Sequence, residues 1–239
     1  QAVTYKLGFN CISGECFDCP KICSPFEDVL EGNWACDYIK AIYDEGITTG
    51  CSQNPLKYCP DNDVTREQMA AFIVRAVEGE PAANYCGTGS PFADVSSSSF
   101  FCKYIKRLSE LAITTGCGGG NYCPKATVTR EQMAAFLVRA VEGEPPANYC
   151  GTGSPFPDVP SSSFFCKYIK RLSELGITTG YSDGTYRPKN NVTRAQMAAF
   201  LARAFLSVEA CSNNTNCSST SYCAKSLGDC HGEGICSDR

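Results

Sequence analysis

Three arginines and eighteen cysteines are the residues of this 239-residue chain whose types and spacing invite chemistry. Arg66, Arg130 and Arg194 lie 64 residues apart, and each follows a threonine in the string Val-Thr-Arg-x-Gln-Met. A cation in the first turn of a helix opposes the helix dipole and is locally unfavourable. All three copies carry it nonetheless. A guanidinium beside unpaired backbone N–H groups forms an anion seat, the fork and the amides converging on one acidic group. The structural alternative is that each arginine pairs with a carboxylate of its repeat, such as Asp28, Asp94 or Asp158. Other constellations are missing: the lone His231 sits in a Gly- and Cys-rich tail, and no phosphate-binding Gly-Lys-Ser/Thr loop occurs. No catalytic residue is assigned, enzyme activity is not expected, and neither cofactor nor metal is called for.

The cysteines point to an oxidising compartment, where small units are stapled covalently. Comparison between repeats proposes the pairs Cys23–Cys36, Cys51–Cys59, Cys86–Cys102, Cys117–Cys123 and Cys150–Cys166. Cys117 and Cys123 have counterparts in Cys51 and Cys59, and in the third repeat both change together, to Tyr181 and Arg187. Joint loss is what bonded partners show. Cys11, Cys16 and Cys19 before the repeats, and Cys211, Cys217, Cys223, Cys230 and Cys236 after them, remain as candidates for terminal or intermolecular bonds. Both sets are odd, so full oxidation needs a bond between the ends or between chains. The spacing of Cys11, Cys16 and Cys19 resembles part of an iron–sulfur motif, but no further ligand set supports a metal.

The elements that must position these residues repeat as well. Each copy opens Pro-Phe-x-Asp-Val (Phe26, Phe92, Phe156), runs through Ile-Thr-Thr-Gly, and ends in the arginine string. Phe101, Tyr104, Ile105, Leu108 and Ala112 form a helical stripe. Gly46 and Gly176 supply a stop for this first helix, with Ala112 the exception. Thr65, Thr129 and Thr193, with Gln68, Gln132 and Gln196 three residues on, predict capping boxes at the second helix. Met69, Phe72, Ile73, Ala76 and Val77 are its expected buried face. The fold class is therefore all-α: three two-helix repeats in a pseudo-threefold, three-lobed body, flanked by disulfide-rich irregular segments. The expected division is 1–24, an N-terminal Cys-rich segment; 25–84, 85–148 and 149–209, the repeats; and 210–239, a C-terminal Cys-rich segment. Lys103, Lys106 and Arg107, matched by Lys167, Lys170 and Arg171, form a basic stripe read as a solvated face with Glu110 and Glu174 as partners.

A net charge of −4 gives no pull toward nucleic acid. No apolar run reaches the roughly 18 residues of a membrane span. With Gln1 first, a secretion signal is expected to have been removed. The sequons at Asn191, Asn213 and Asn216 are candidate glycosylation sites.

Taken together, Phe-x-Asp-Val, the aromatics Trp34, Phe100 and Phe164, Gly-Ile-Thr-Thr-Gly, Asp183-Gly184-Thr185-Tyr186-Arg187-Pro188 and Val-Thr-Arg-Ala-Gln-Met resemble the S-layer homology domain. The resemblance implies helical lobes with grooves between them that bind acidic, often pyruvylated, wall-linked polysaccharide on a bacterial surface. It assigns polymer contacts to Arg66, Arg130 and Arg194, and to Gly50, Gly116 and Gly180. Repeat three is the closest match; repeats one and two replace its acidic-glycine loop with cysteine rings. Because the repeats fill most of the chain between odd-numbered cysteine flanks, the reading favours a secreted surface protein that assembles into a layer, sheath or filament. Its expected partners are copies of itself or another surface protein. Anchoring to acidic polysaccharide is the alternative.

Overall fold

The computed structural model describes residues 25–30, 32–87 and 89–206, together with the backbone of five short flanking strands. Residues 62–205 form one compact unit, and residues 1–61 with 206–239 form another.

In the unit made by the two ends, β1 (Asn10–Ile12) and β2 (Glu15–Phe17) pair antiparallel. Helix α1 follows at Cys36–Asp44, then the two-residue strands β3 (Ser52–Gln53) and β4 (Leu56–Lys57). Strands β5 (Ala210–Cys211), β6 (Ser221–Ala224) and β7 (Gly234–Asp238) form a sheet in the order β5-β7-β6. The Cys-rich flanks thus contain short antiparallel ladders. Phe26 is buried here against Tyr43 and Tyr58, at ring-centroid distances of 5.1 and 5.4 Å.

The unit spanning 62–205 is helical: α2 (Arg66–Glu78), α3 (Cys102–Glu110), α4 (Arg130–Val141), α5 (Cys166–Glu174) and α6 (Arg194–Phe205). Thr65 and Thr129 close full capping boxes with Gln68 and Gln132. The Thr193 hydroxyl accepts from the Gln196 N–H. Helices α2, α4 and α6, one from each repeat, touch one another pairwise, while α3 packs on α2 and α5 on α4. Just before the caps the chain closes a backbone triangle. Val64 N–H donates to Val192 O, Val192 N–H to Val128 O, and Val128 N–H to Val64 O, each at 2.9 Å. This cycle is the pseudo-threefold relation written in hydrogen bonds.

Because α2 has neighbours on several sides, burial does not follow one stripe. Glu67, Ala70, Ala71 and Val74 are buried beside Met69, Phe72 and Ile73, whereas Val77, expected in the core, is exposed at 38%. A helix hemmed in by other helices buries nearly all of its first two turns, here all but Gln68, and frees its last. In α3 the stripe holds for Tyr104, Ile105 and Leu108, but Ala112 lies beyond the helix at φ 56°. Gly46 and Gly176 take the same left-handed corner at φ 69° and 71°. Among the described residues, no helix is long and apolar enough to cross a membrane.

Candidate functional site

Each repeat builds the same loop between its two helices, and the Pro-Phe-x-Asp segment organises it. In repeat two the carboxylate of Asp94 accepts the N–H groups of Tyr122 and Cys123, both at 2.7 Å. Asp28 does the same for Tyr58 and Cys59, and Asp158 for Tyr186 and Arg187. These aspartates therefore do not pair with the arginines: both oxygens are spent on loop amides that would otherwise lack partners. Gly116 sits at φ 91°, where a Cβ would strike the Asn121 carbonyl and the Phe92 ring. Gly50 is pressed against the Lys57 carbonyl and Phe26, and Gly180 against Phe156 and the Thr185 carbonyl. Only glycine fits such a corner. That need explains the residue type at all three positions without any ligand.

The loop ends are tied differently. Cys51 is joined to Cys59 and Cys117 to Cys123, closing small rings. Cys86–Cys102 and Cys150–Cys166 staple the approach to α3 and α5. Cys36 is also disulfide-bonded, and its expected partner Cys23 lies outside the described residues. Cys19, Cys217, Cys230 and His231 lie outside them too. Cys11, Cys16, Cys211, Cys223 and Cys236 fall on the short flanking strands. Among the described residues, Asp28, Cys51 and Cys59 cluster within 4.8 Å, but the sulfurs are bonded to each other and the carboxylate holds two amides. That donor set does not suit a metal.

In repeat three the places of Cys117 and Cys123 are taken by Tyr181 and Arg187. The Arg187 guanidinium lies 3.9 Å from the Tyr181 ring centroid. Arg187 also pairs with Asp183 at 2.9 Å. Hydrogen bonds from Thr185 and from Arg187 hold the Asp183 carboxyl well below its ordinary range. Cys59, Cys123 and Arg187 share a left-handed φ of 57°, 58° and 57°, so the backbone path at this corner is kept while the tie changes.

The loops of repeats two and three close on the second helix of the preceding repeat, and there Arg66 and Arg130 sit. Arg66 is 5% exposed. Its Nε donates to the Tyr122 carbonyl at 2.7 Å, and the Tyr122 hydroxyl returns a bond to the Arg66 carbonyl at 2.8 Å. Its guanidinium faces the rings of Tyr122 (4.8 Å) and Phe136 (5.3 Å). The Nη2 atom of Arg66 is buried without a hydrogen-bond partner. Desolvation lowers the pKa of this guanidinium, and burial raises that of Tyr122. Arg130 repeats the pattern with Tyr186, at 2.7 and 2.8 Å. Arg194 is 4% exposed with its guanidinium over Phe72.

The first-turn amides are not free for an anion. Arg66 N–H donates to Ala126 O and Glu67 N–H to Pro124 O. The amides of Arg130 and Glu131 go to Asn190 and Pro188, and that of Arg194 goes to Asn62. The positive element left without a partner at the first of these junctions is the Arg66 guanidinium edge. Buried Glu67 and Glu131 each take one exposed lysine, Lys125 and Lys189, at 2.6 Å.

The basic stripe does more than face water. Arg107 grips Glu78 with two bonds of 2.6 Å besides meeting Glu110, and Lys103 reaches Glu80. Arg171 and Lys167 do the same with Glu142 and Glu144. Burial pushes Glu80 and Glu144 up, but bonds from lysine, tyrosine and arginine outweigh it and hold both carboxyls at about 2. These pairs glue α3 to α2 and α5 to α4.

Sequence periodicity missed the tyrosines. Tyr58, Tyr122 and Tyr186 are fully buried. The spacing of 64 residues between Tyr122-Cys123-Pro124 and Tyr186-Arg187-Pro188 was the available signal.

The family model described as S-layer homology domain matches residues 25–70, 91–134 and 155–198. The chain is 32% identical over 180 residues to an endoglucanase of Bacillus sp. (strain KSM-635), covering 74% of this chain and 18% of that protein. It is 26% identical over 185 residues to an S-layer protein of Bacillus thuringiensis subsp. finitimus, covering 74% of this chain and 21% of the relative. A cellulosome-anchoring protein of Acetivibrio thermocellus is 25% identical over 146 residues, with 60% of this chain and 32% of that protein covered. The chain thus spans a third or less of the length of these relatives.

Proposed function

Given that the chain belongs to the S-layer homology domain family, which makes it an extracellular cell-surface protein, we propose that its repeats hold it on a bacterial surface. They do so by taking acidic, wall-linked polysaccharide at the loop–helix junctions. The observation that carries this reading is the Arg66 guanidinium, buried with its Nη2 unpartnered. An unsatisfied buried donor costs about 1–3 kcal/mol, and a carboxylate recovers that cost through a charge-assisted bond. Arg130 is the corresponding cation of the junction between repeats two and three. Gly50, Gly116 and Gly180 let the loop pass close, so their part is to shape the junction. The enzyme-named relative is matched over 18% of its length, which fits repeats that attach a protein to the surface and perform no reaction of their own.

The test is co-sedimentation with purified acidic wall polysaccharide and with the same polymer after its acidic groups are removed. Retention on the first and release from the second is expected. Equal retention on both overturns the acidic-group reading.

A second reading, assembly into a layer, sheath or filament, draws support from the S-layer protein relative. Sedimentation velocity with and without reductant tests it. A monomer at every concentration, oxidised or reduced, contradicts it.

A further inference from the structure

We infer that the residue at the first corner of the loop, Cys117 in repeat two and Tyr181 in repeat three, selects which arginine can receive an acidic group: Arg66 can, and Arg130 is shut. The inference rests on the proposed anchoring role and assigns it to one junction.

The two arginines differ in what covers them. Among the described residues, two rings face Arg66, those of Tyr122 and Phe136. Three face Arg130: Tyr186 at 4.6 Å, Tyr181 at 4.7 Å and Phe200 at 5.4 Å. The added ring is Tyr181, and it stands between two guanidinium groups, since Arg187 lies on it at 3.9 Å. Its hydroxyl also accepts from Gln196 Nε2 at 3.2 Å. A ring stacked on a guanidinium satisfies it electrostatically and blocks the approach of an anion along that face.

At Arg66 the same corner is Cys117, a small residue tied to Cys123. Nη2 of Arg66 is closed off from bulk water, so an acidic group reaches it only where the loop yields. The loop tip beside it is Gly118-Gly119-Gly120, all exposed and free of side chains, with nothing near the Cβ positions of Gly118 and Gly120; its backbone is held by bonds from Asn121 N–H to Gly118 O and from Ala93 N–H to Gly120 O. In repeat three the same stretch is pinned: Asp183 accepts from the Thr185 N–H, the Thr185 hydroxyl and Arg187. Repeat two therefore pairs an under-bonded cation with a tip that carries no side chains, and repeat three pairs a covered cation with a tip cross-linked through the Asp183 side chain.

The probe is a methyl hexoside bearing a pyruvate ketal, titrated into the full chain while the arginine Nε–Hε resonances are followed by NMR. In the wild-type chain Arg66 is expected to shift and Arg130 to stay. Installing repeat three's pair in repeat two, Cys117→Tyr with Cys123→Arg, should weaken the Arg66 response at least tenfold. Tyr181→Leu, which removes the ring and leaves the backbone, should give Arg130 a response of its own. The backbone amide spectrum of the unaltered repeats verifies folding of each variant. A wild-type response at Arg130 before Arg66, or a preference unmoved by both variants, overturns the inference. Retention on acidic polysaccharide with no arginine responding overturns it while leaving anchoring in place. Loss of retention altogether overturns both.

Discussion

Repeats two and three build one loop with two different fasteners. The backbone corner, the aspartate that caps it, the glycine pressed on a phenylalanine and the buried tyrosine are matched residue for residue. One loop is then closed by a covalent bond and the other by an arginine lying on a tyrosine ring. Among the shared parts, the glycine is one that no other residue type could supply. What closes the loop is free to vary, because either fastener only has to keep the ends together.

Changes to the shared parts should hurt both loops alike and by the largest amount. Gly116→Ala and Gly180→Ala each force a Cβ into a backbone carbonyl and a ring at positive φ, so each is expected to cost about 3 kcal/mol or more in thermal or urea unfolding. A markedly milder effect at Gly180 would mean that the two loops are not built on the same corner.

Removing the fasteners should separate the loops. Cys117→Ser with Cys123→Ser releases a ring of six residues' separation, worth about 2 kcal/mol in the chain-entropy treatment. Hydrogen exchange should then quicken at the Arg66 and Glu67 amides, which that loop caps, and not at Arg130 and Glu131. Arg187→Ala should do the reverse and by a smaller amount, since its cation–π contact is exposed. Equal quickening at both junctions in either variant would break the comparison.

Acid offers the gentlest separation. Asp183 is bonded in the folded chain and its pKa is depressed, so its contribution is fully present above the unfolded aspartate value of about 4 and is lost as pH falls below it. Exchange at Arg130 and Glu131 should therefore rise between about pH 4 and 2, while the disulfide-closed loop of repeat two stays protected. The carboxyls of Glu80 and Glu144, held at about 2, loosen their helix pairs over the same window, and by symmetry they do so equally in both repeats.

Much of this architecture was legible because it is local. Capping boxes need four consecutive residues, and a helical stripe needs two or three turns. The destinations of Asp94, of the first-turn amides and of the arginine side chains were not legible. Each bond joins residues at least 28 positions apart, so nothing in a short window announces it. Burial of Glu67 and exposure of Val77 escaped for the same reason: both follow from neighbours supplied by other repeats. One long-range trace was present. Glu67 and Glu131 pair with Lys125 and Lys189. In the remaining copy the aligned residues are Ala195 and Asp61, so both halves of the pair have changed together. Ala112, at a corner where the other repeats place glycine, shows how a repeat tolerates a strained residue once packing holds the turn.

The most direct measurement is a crystal structure of the chain with a short acidic wall oligosaccharide. The account predicts a carboxylate within hydrogen-bond distance of the Arg66 guanidinium, entering beside the Cys117–Cys123 ring. An oligosaccharide bound elsewhere, with Arg66 Nη2 still lacking a partner, would contradict it.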